Sequence, residues 1–426
     1  MKKLLIKGGR LVDPAENIDG EYDLLIIDGK VAEVGSDLSD PTAETIDASG
    51  KLVTPGLIDM HVHLRDPGFE DKEDIISGTR SAAAGGFTSV ACMPNTAPVI
   101  DNAAVVTYIK TKAQKEGWVN VFPIGAITKG LKGEEISEVG YLYKSGAVAL
   151  SDDGKPVMNS EVMRRSLEYS KMFDLAVIAH SEDSNLAADG MMNEGYMATV
   201  LGLKGIPNAA ESAMIARDIE LAKLTGGRLH IAHVSARESV DLIRNAKEQG
   251  VKITAEAAPH HFTLTDEAVA GFDTSTKVNP PLRTVEDVEA IKRGLKDGTI
   301  DAIATDHAPH TEEEKAVEYL YAPCGMIGLE TAFALAYTEL VQKNILSLPE
   351  MIAKFTVNPA RILNLKGKGS LKAGQDADIA IFDLAEKWVV DRNKMYSKAK
   401  NTPFHGFALQ GKPVITIVNG EIVNFK

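Results

Sequence analysis

The stretch GLIDMHVHL, residues 56–64, carries two histidines at the end of a run that otherwise predicts a buried strand. Successive side chains of a strand point to opposite faces, so His61 and His63, two residues apart, point into the same space. Two imidazoles on one buried face need partners there, and a bound metal ion is the partner that this spacing favours. The pair therefore predicts a strand that ends at a binding site.

Strand and helix patterns alternate on the C-terminal side of this stretch. Helix-like segments, several ending in glycine, fall between the strand-like ones. The eight strand-like segments begin at residues 56, 87, 119, 147, 175, 228, 252 and 300. This order predicts an α/β protein with a (β/α)8 TIM-type barrel over residues 55–365. A doubly wound open sheet is the alternative, but it would not bring all the strand ends around one opening.

The two ends of the chain have a different texture from the middle. Residues 1–54 and 366–426 consist of short β-rich segments broken by glycine, aspartate and proline, which is typical of hairpins. We expect these two ends to form one small β-sandwich domain beside the barrel.

Composition excludes several classes of protein. A formal net charge of −14 argues against binding to nucleic acid or to an anionic membrane. No uninterrupted apolar stretch is long enough to span a bilayer, and Lys7 to Arg10 interrupt the N-terminus before the apolar core of a leader peptide develops. The two cysteines, Cys92 and Cys324, are too few for a disulfide framework. We therefore expect a cytoplasmic protein.

Polar side chains mark the C-terminal ends of most predicted strands, where catalytic groups of a parallel barrel gather. These residues are His61, His63, Asn95, Asp152, Asp153, His180, His233, His260, His261, Asp306 and His307. Imidazoles and carboxylates without cysteine make a nitrogen and oxygen site, which suits zinc or a neighbouring metal.

Spacing separates some of these candidates but not all of them. His230 and His233 are three residues apart and cannot share a strand face, so His233 is the predicted ligand and His230 is structural. The pair at 260 and 261 is expected to have a structural role or to support the ligands. Asp152 and Asp153 have opposite parity, so one enters the site, and spacing does not choose between them.

Several motifs resemble those of the bacterial dihydroorotases, in the long form that lacks a carboxylated lysine, within the amidohydrolase superfamily. They include DMHVHLRDPG, GGFTSVACMPNTAP, SDDGKPV, IAHVSA, KVNPPLR and IATDHAPHT, and the resemblance runs from about residue 8 to about residue 420. It implies a zinc enzyme that reversibly hydrolyses (S)-dihydroorotate to N-carbamoyl-L-aspartate in de novo pyrimidine biosynthesis.

The resemblance also implies roles for the strand-end residues. One zinc would be held by His61, His63 and Asp306, and a second by His180 and His233, with Asp153 bridging the two. Hydroxide on the metals would attack the cyclic amide, with Asp306 as general base and then general acid. In related hydantoinases a carboxylated lysine bridges the metals. The fourth strand here has no lysine, and Lys155, just beyond it, is the weaker alternative.

The substrate contacts come from the same resemblance. Arg65, Asn95 and His310 would bind the substrate carboxylate, and Asn279, the backbone of Cys324 and Gly325, and His63 would contact the rest of it. Cys324 stands where the family pattern has an aromatic residue. Residues 311–323 are either a mobile loop over the opening or a solvated surface helix.

Two competing functions remain at this point. One is another cyclic-amide hydrolase, such as a hydantoinase, a dihydropyrimidinase or an allantoinase, which the missing lysine and Arg65 disfavour. The other is a non-catalytic subunit that supports aspartate transcarbamoylase, which the complete ligand set disfavours. The family resemblance implies a homodimer and, for some members, association with aspartate transcarbamoylase.

Overall fold

The computed structural model describes residues 2–425. The strands are β1 Lys3–Asp13, β2 Ile18–Ile27, β3 Lys30–Gly35, β4 Glu44–Asp47, β5 Leu52–Pro55, β6 Leu57–Val62, β7 Phe87–Cys92, β8 Asn120–Pro123, β9 Gly125–Ala126, β10 Ala149–Ser151, β11 Ala176–Ala179, β12 Met192–Asn193, β13 Gly205–Ile206, β14 Arg228–Ile231, β15 Ile253–Ala257, β16 Ala302–Ile303, β17 Ile379–Val389, β18 Ala408–Val418 and β19 Glu421–Ile422. The α-helices are α1 Ile75–Ala84, α2 Ala103–Glu116, α3 Val139–Ser145, α4 Ser160–Ser170, α5 Ser184–Ala187, α6 Tyr196–Leu201, α7 Asn208–Thr225, α8 Arg237–Glu248, α9 Val285–Asp297, α10 Glu312–Lys315, α11 Ala332–Ala336, α12 Leu348–Phe355 and α13 Val357–Ile362.

Parallel strands of the central region close into a barrel. One run of neighbours is β6-β7-β8, and the other is β9-β10-β11-β14-β15-β16. The two runs meet where β8 and β9 follow each other in the chain, so together they form the third barrel strand. A parallel bridge between Val62 and His307 joins the end of the eighth strand back to the first. The predicted barrel is confirmed.

The seam between the first and eighth strands is held by a buried carboxylate. Asp59 Oδ1 accepts hydrogen bonds from the backbone nitrogens of His61 and Thr305, each at 3.1 Å. Burial is the main influence on Asp59 and raises its pKa to about 7. The register of β6 against β7 also shifts between Asp59 and Val62, and such irregularities are frequent beside active sites.

Two apolar layers surround the barrel strands. Small and medium side chains such as Ala91, Ala149 and Ile178 fill the interior, and Ile362 and Leu363, at the end of α13, pack against this cluster. The larger outer layer lies between the strands and the surrounding helices, with Phe87, Phe355 and Val177 among its members. Because every barrel strand is covered on both faces, its sequence reads as a nearly continuous apolar run.

Local signals begin and end the helices that follow the strands. Asp74 caps α1 by accepting a hydrogen bond from the Ser77 nitrogen at 2.8 Å. Thr284 and Asp287 form a reciprocal capping box at the start of α9. Gly298, with a φ of 82°, directly follows the last residue of this helix. A left-handed φ of this kind favours glycine, and it recurs at Gly226 after α7, with a φ of 65°. Gly117 after α2 has a φ of −74°, so its position at a helix end has another cause.

Both ends of the chain contribute to a single sheet beside the barrel, in the order β19-β18-β17-β5-β1-β2-β3. The first half of β1 pairs with β4 and its second half with β5, so the sheet divides at β1. Side chains from both branches, including Ile6, Val53 and Ile381, share one core. The β domain from both termini is thereby confirmed, while its boundaries at residues 54/55 and 365/366 stay a prediction.

Within residues 2–425, the helices are too short or too polar to cross a membrane.

Candidate metal centre

The six predicted metal ligands lie together at the C-terminal ends of the barrel strands. His61 is on β6 and His63 directly follows it, while the other four stand one to three residues beyond their strands. All six side chains are buried, and they are His61, His63, Asp153, His180, His233 and Asp306. Barrel closure therefore brings residues from 61 to 306 around one opening.

Asp153 lies at the middle of this group. Its Oδ1 is 3.3 Å from His61 Nε2, and it is 3.5 Å from both His180 Nδ1 and His233 Nε2. Its Oδ2 is 3.4 Å from His63 Nε2. One carboxylate thus faces all four imidazoles.

Asp306 lies across from Asp153. Its Oδ1 is 3.2 Å from His63 Nε2 and 3.5 Å from His61 Nε2. The two rings from the first strand therefore stand between two carboxylates.

The spacing of these atoms fits a divalent metal. Four ligands at about 2.0–2.1 Å from a tetrahedral ion stand roughly 3.3 Å apart. The observed separations involving Asp306 and the first-strand histidines, 3.2 and 3.5 Å, match that value. Two buried atoms, His61 Nε2 and Asp153 Oδ1, have no hydrogen-bond partner among the described residues. The group therefore presents buried polar atoms that a bound cation would satisfy.

Burial and neighbouring charges shift the pKa values of the predicted ligands in opposite directions. Burial would raise the pKa of Asp153, but the charge of His61 and contacts with His180 and His233 hold it well below its usual value. Burial would likewise lower the pKa of His61, but Asp153 and Glu256 raise it well above its usual value. Asp306 is also held at a low pKa, against its burial, by contacts with His63 and the neighbouring imidazoles. The carboxylates are therefore ionised and able to bind metal at neutral pH.

Three residues of the site adopt a left-handed backbone. The φ angles are 62° for Arg65, 30° for His233 and 50° for Asp306. Residues other than glycine rarely adopt this region, and such positions concentrate at functional sites. All three positions belong to the predicted site, so the strained backbone coincides with it.

The structure distinguishes the two adjacent aspartates. Asp152 points away from the imidazoles and accepts hydrogen bonds from the backbone nitrogen of Thr128 at 3.0 Å and from the Thr128 hydroxyl. Its burial raises its pKa to about 6. Asp153 is the member of the pair that enters the site.

A further carboxylate, Glu256 on β15, supports the ligands from below. Its Oε1 is 2.6 Å from His61 Nδ1 and its Oε2 is 3.2 Å from His230 Nε2. His230, expected to be structural, also lies 2.8 Å from the Thr254 hydroxyl. Sequence reasoning missed Glu256, although a lone carboxylate inside an otherwise apolar strand was an available signal.

Two of the residues predicted to bind the substrate carboxylate lie side by side. A terminal nitrogen of the Arg65 guanidinium is 3.4 Å from His310 Nε2, and its Nε donates to the Pro309 carbonyl at 3.1 Å. Burial and the charge of Arg65 lower the pKa of His310 to about 3, so this ring is neutral. Asn95 Oδ1 is 2.9 Å from His63 Nδ1, which joins the third of these residues to a metal ligand.

The remaining predicted contacts are Asn279, Cys324 and Gly325. Asn279 Oδ1 is buried without a hydrogen-bond partner among the described residues. The carbonyl oxygen of Cys324 is 2.9 Å from His310 Nε2, and the Gly325 nitrogen donates to the Lys277 carbonyl at 2.8 Å. The Gly325 φ of 138° and a backbone packed against Ala308 leave no room for a side chain there.

His260 and His261 are buried next to each other, with ring centroids 4.3 Å apart. His261 Nε2 donates to the Pro280 carbonyl at 3.0 Å. Burial is the main reason why the pKa of both rings is lowered, to about 4 for His261. Among residues 2–425, the groups of atoms close enough to share a metal are His61 with Asp153 and His233, and His61 with His63 and Asp306. His260, His261 and the predicted ligand His180 lie outside both groups, although His180 Nδ1 is 3.5 Å from Asp153 Oδ1.

Comparison with solved structures defines the class of protein. The chain superposes on the L-hydantoinase (dihydropyrimidinase) of Arthrobacter aurescens with a TM-score of 0.90 at 29% identity, covering 99% of this chain and 96% of that one. It superposes on the dihydropyrimidinase of Brevibacillus agri with a TM-score of 0.87 at 25% identity, covering 99% and 95%. The fold is thus that of the cyclic amide hydrolases.

Sequence comparison identifies the family within this class. A family profile described as Dihydro-orotase-like matches residues 50–239. The chain is 61% identical to the dihydroorotase of Pelotomaculum thermopropionicum over 421 residues, 99% of this chain and 98% of that protein. It is 60% identical to the dihydroorotase of Acetivibrio thermocellus over 420 residues, with the same coverage. The chain belongs to the dihydroorotase family.

Proposed function

We propose that this protein reversibly hydrolyses (S)-dihydroorotate to N-carbamoyl-L-aspartate in de novo pyrimidine biosynthesis. The observation that carries the proposal is the position of Asp153, whose carboxylate lies 3.3 to 3.5 Å from four imidazole nitrogens in a member of this family. That arrangement is suited to two metal ions acting on one scissile bond.

The proposed cofactor is a pair of zinc ions per subunit. His61, His63 and Asp306 would hold one ion, His180 and His233 the other, and Asp153 would bridge them. When bound, such a pair activates water and polarises the amide carbonyl. Asp153 carries the negative charge that a carboxylated lysine carries elsewhere, on a shorter arm and without carbon dioxide.

Asp306 is the proposed catalytic residue. Its carboxylate is ionised, because its pKa is held low, and it stands beside both histidines of the first strand. It would take a proton from the attacking water and deliver it to the ring nitrogen that leaves the carbonyl carbon. Breaking the carbon–nitrogen bond of the ring then yields the open carbamoyl product.

Substrate recognition is proposed to depend on charge. Dihydroorotate carries a carboxylate, and the Arg65 guanidinium can bind it through two parallel hydrogen bonds. Asn95 and His310 would add hydrogen bonds to the same group. Asn279, His63 and the backbone at Cys324 and Gly325 would contact the rest of the molecule.

The likeness to hydantoinases makes their activity the second candidate. Hydantoin lacks the substrate carboxylate, so the Arg65 guanidinium would have no carboxylate to bind during that reaction. Metal analysis of the purified protein, with hydrolysis assays on dihydroorotate, hydantoin and allantoin, tests the proposal. We expect bound zinc and turnover of dihydroorotate alone. Turnover of hydantoin alone would replace the proposal with the second candidate, and a protein with neither activity would be a non-catalytic subunit.

The assembly and location of the protein are proposed from the family resemblance alone. A homodimer, association with aspartate transcarbamoylase and a place in the cytoplasm remain predictions. Light scattering of the purified protein, with and without aspartate transcarbamoylase, tests the first two.

A further inference from the structure

Glu256 is a fully buried carboxylate whose two oxygens face two imidazoles. Its exposed fraction is 1%, and His61 and His230 are 0% exposed. Oε1 lies 2.6 Å from His61 Nδ1, and Oε2 lies 3.2 Å from His230 Nε2. Among residues 2–425, these two histidines are the basic side chains within ion-pair distance of Glu256.

These contacts define the direction of each hydrogen bond. An ionised carboxylate only accepts, so both ring nitrogens that face Glu256 carry their protons. His61 therefore donates from Nδ1, which leaves Nε2, 3.3 Å from Asp153 Oδ1, as the nitrogen that would bind a metal ion. His230 points Nε2–H at Glu256, and its Nδ1 lies 2.8 Å from the Thr254 hydroxyl, which can donate to it. Each hydrogen-bond donor in the series Thr254, His230, Glu256 and His61 thereby faces an acceptor.

We infer that Glu256 is a positioning residue for metal binding. It holds the His61 ring in the tautomer whose Nε2 lone pair faces the ligand group, and it keeps that ring from rotating. A carboxylate behind a ligating imidazole also increases the basicity of the ring and orients it, which strengthens metal binding. The inference rests on the proposed function, since it concerns the same metal centre.

Geometry supports this role over a purely structural one. Glu256 Oε1 lies 2.6 Å from His61 Nδ1, and the other nitrogen of the same ring, Nε2, lies 3.3 Å from Asp153 Oδ1 and 3.5 Å from Asp306 Oδ1. The two nitrogens of one imidazole therefore connect Glu256 to the predicted ligand group, so a change at Glu256 acts on the orientation and basicity of a predicted ligand.

Metal affinity of the full-length protein tests the inference. The wild type, Glu256→Gln and Glu256→Leu would be stripped of metal and titrated with Zn²⁺ against a chromophoric chelator. Gln keeps an acceptor for His61 without the charge, whereas Leu removes both. We expect the Zn²⁺ dissociation constant to rise about 10-fold for Gln and about 100-fold for Leu. Titration with Co²⁺ would show an altered visible absorption spectrum in the Leu variant, because the His61 ring is no longer held in place.

Asp13→Asn is the matched control. Asp13 is a fully buried carboxylate of β1 that accepts from the Leu371 nitrogen at 2.6 Å and the Ser370 hydroxyl at 3.0 Å. It lies in the β domain, so its loss should lower the melting temperature of the metal-free protein and leave the Zn²⁺ dissociation constant unchanged.

The outcomes separate this inference from the proposed function. If the wild type hydrolyses dihydroorotate and the Glu256 variants bind Zn²⁺ as tightly as the wild type does, the inference alone is overturned. A wild type that binds neither Zn²⁺ nor Co²⁺ would overturn both. If Glu256→Leu does not fold, Glu256→Asp replaces it, because the shorter side chain withdraws the carboxylate from His61, and a weaker affinity is again expected.

Discussion

The adjacent carboxylates of Asp152 and Asp153 point in opposite directions at the end of the fourth barrel strand. Asp153 Oδ1 lies 3.3 Å from His61 Nε2 inside the ligand group. Asp152 Oδ1 accepts from the Thr128 backbone nitrogen at 3.0 Å, outside that group. Two chemically identical neighbours thus serve the metal site and the loop beside it.

This relationship makes the two aspartates a matched pair for mutation. Asp153→Asn removes the central negative charge, so we expect the bound metal to fall below half of the wild-type content and dihydroorotate hydrolysis to be lost. Asp152→Asn disturbs only the contacts with Thr128 and should lower stability by about 1–3 kcal/mol while metal stays bound. Metal analysis and thermal unfolding of both variants check this, and a reversed pattern would contradict the proposed bridge.

Asp306 offers a test of the proton transfer. Asp306→Asn keeps an oxygen that can bind metal but removes the base, so we expect kcat to fall by about 10²- to 10⁴-fold while metal is at least partly retained. Steady-state kinetics with parallel metal analysis measure both effects. Near-wild-type turnover with full metal content would remove Asp306 from the mechanism.

Arg65 offers a test of substrate recognition. Arg65→Met removes the guanidinium, and we expect the KM for dihydroorotate to rise roughly 10- to 100-fold, the value of hydrogen bonds to a charged group. Arg65→Lys keeps the charge without the two-pronged geometry and should give an intermediate KM. Initial-rate kinetics measure both, and an unchanged KM in the Met variant would exclude Arg65 from carboxylate binding.

The segment at 311–323 is attached to the barrel through buried lysines. Lys315 Nζ donates to the carbonyls of Thr274 and Pro323 at 3.0 and 2.7 Å, and Lys277 Nζ donates to Tyr319 at 2.8 Å. Only residues 312–315 are helical there, so the segment is a tethered loop rather than a long surface helix.

Removing one tether should loosen this loop. For Lys315→Met we expect amide hydrogen exchange in residues 316–323 to accelerate roughly tenfold, because charged hydrogen bonds to two carbonyls are lost. Lys72→Met, which removes a peripheral ion pair with Glu314, is the control with a smaller effect. Amide hydrogen exchange measured by mass spectrometry tests this prediction. Equal exchange rates in the two variants would show that Lys315 does not hold the loop.

Lys354 on α12 predicts a dependence of stability on pH. Burial lowers its pKa from 10.5 to about 8, and its Nζ donates to the Ile300 carbonyl at 2.8 Å. Between these two values the unfolded chain binds more protons than the folded one, so the free energy of unfolding rises with pH. Below about pH 8 this gain is absent, because the lysine is then protonated in both states.

The variant Lys354→Met isolates this contribution. We expect the free energy of unfolding of the wild type, minus that of the variant, to increase by up to about 3 kcal/mol between pH 8 and pH 10.5. Urea unfolding at several pH values measures the difference. A constant difference over this range would contradict the buried ammonium.

Much of the architecture could be predicted from the sequence, because it depends on local signals. Apolar runs, glycine helix ends and hairpin-like termini indicate the barrel and the β domain directly. The irregularities were less predictable. The third barrel strand is interrupted between Pro123 and Gly125, and the eighth is regular only at Ala302–Ile303, because the pairing of each depends on its neighbours.

The candidate site could likewise be predicted only in part from the sequence. The ligand types and their positions at strand ends are visible in the sequence, but the choice of Asp153 over Asp152 came from the family resemblance. Glu256 was missed because its partner His61 is 195 positions away. Asp59 was missed for the same reason, since Thr305 is 246 positions away.

The sequence by itself determined which groups were available for chemistry, because side-chain type and strand parity are properties of short segments. Only the tertiary structure decided which nitrogen and oxygen atoms meet, because closing the barrel between Val62 and His307 sets distances that no local pattern contains.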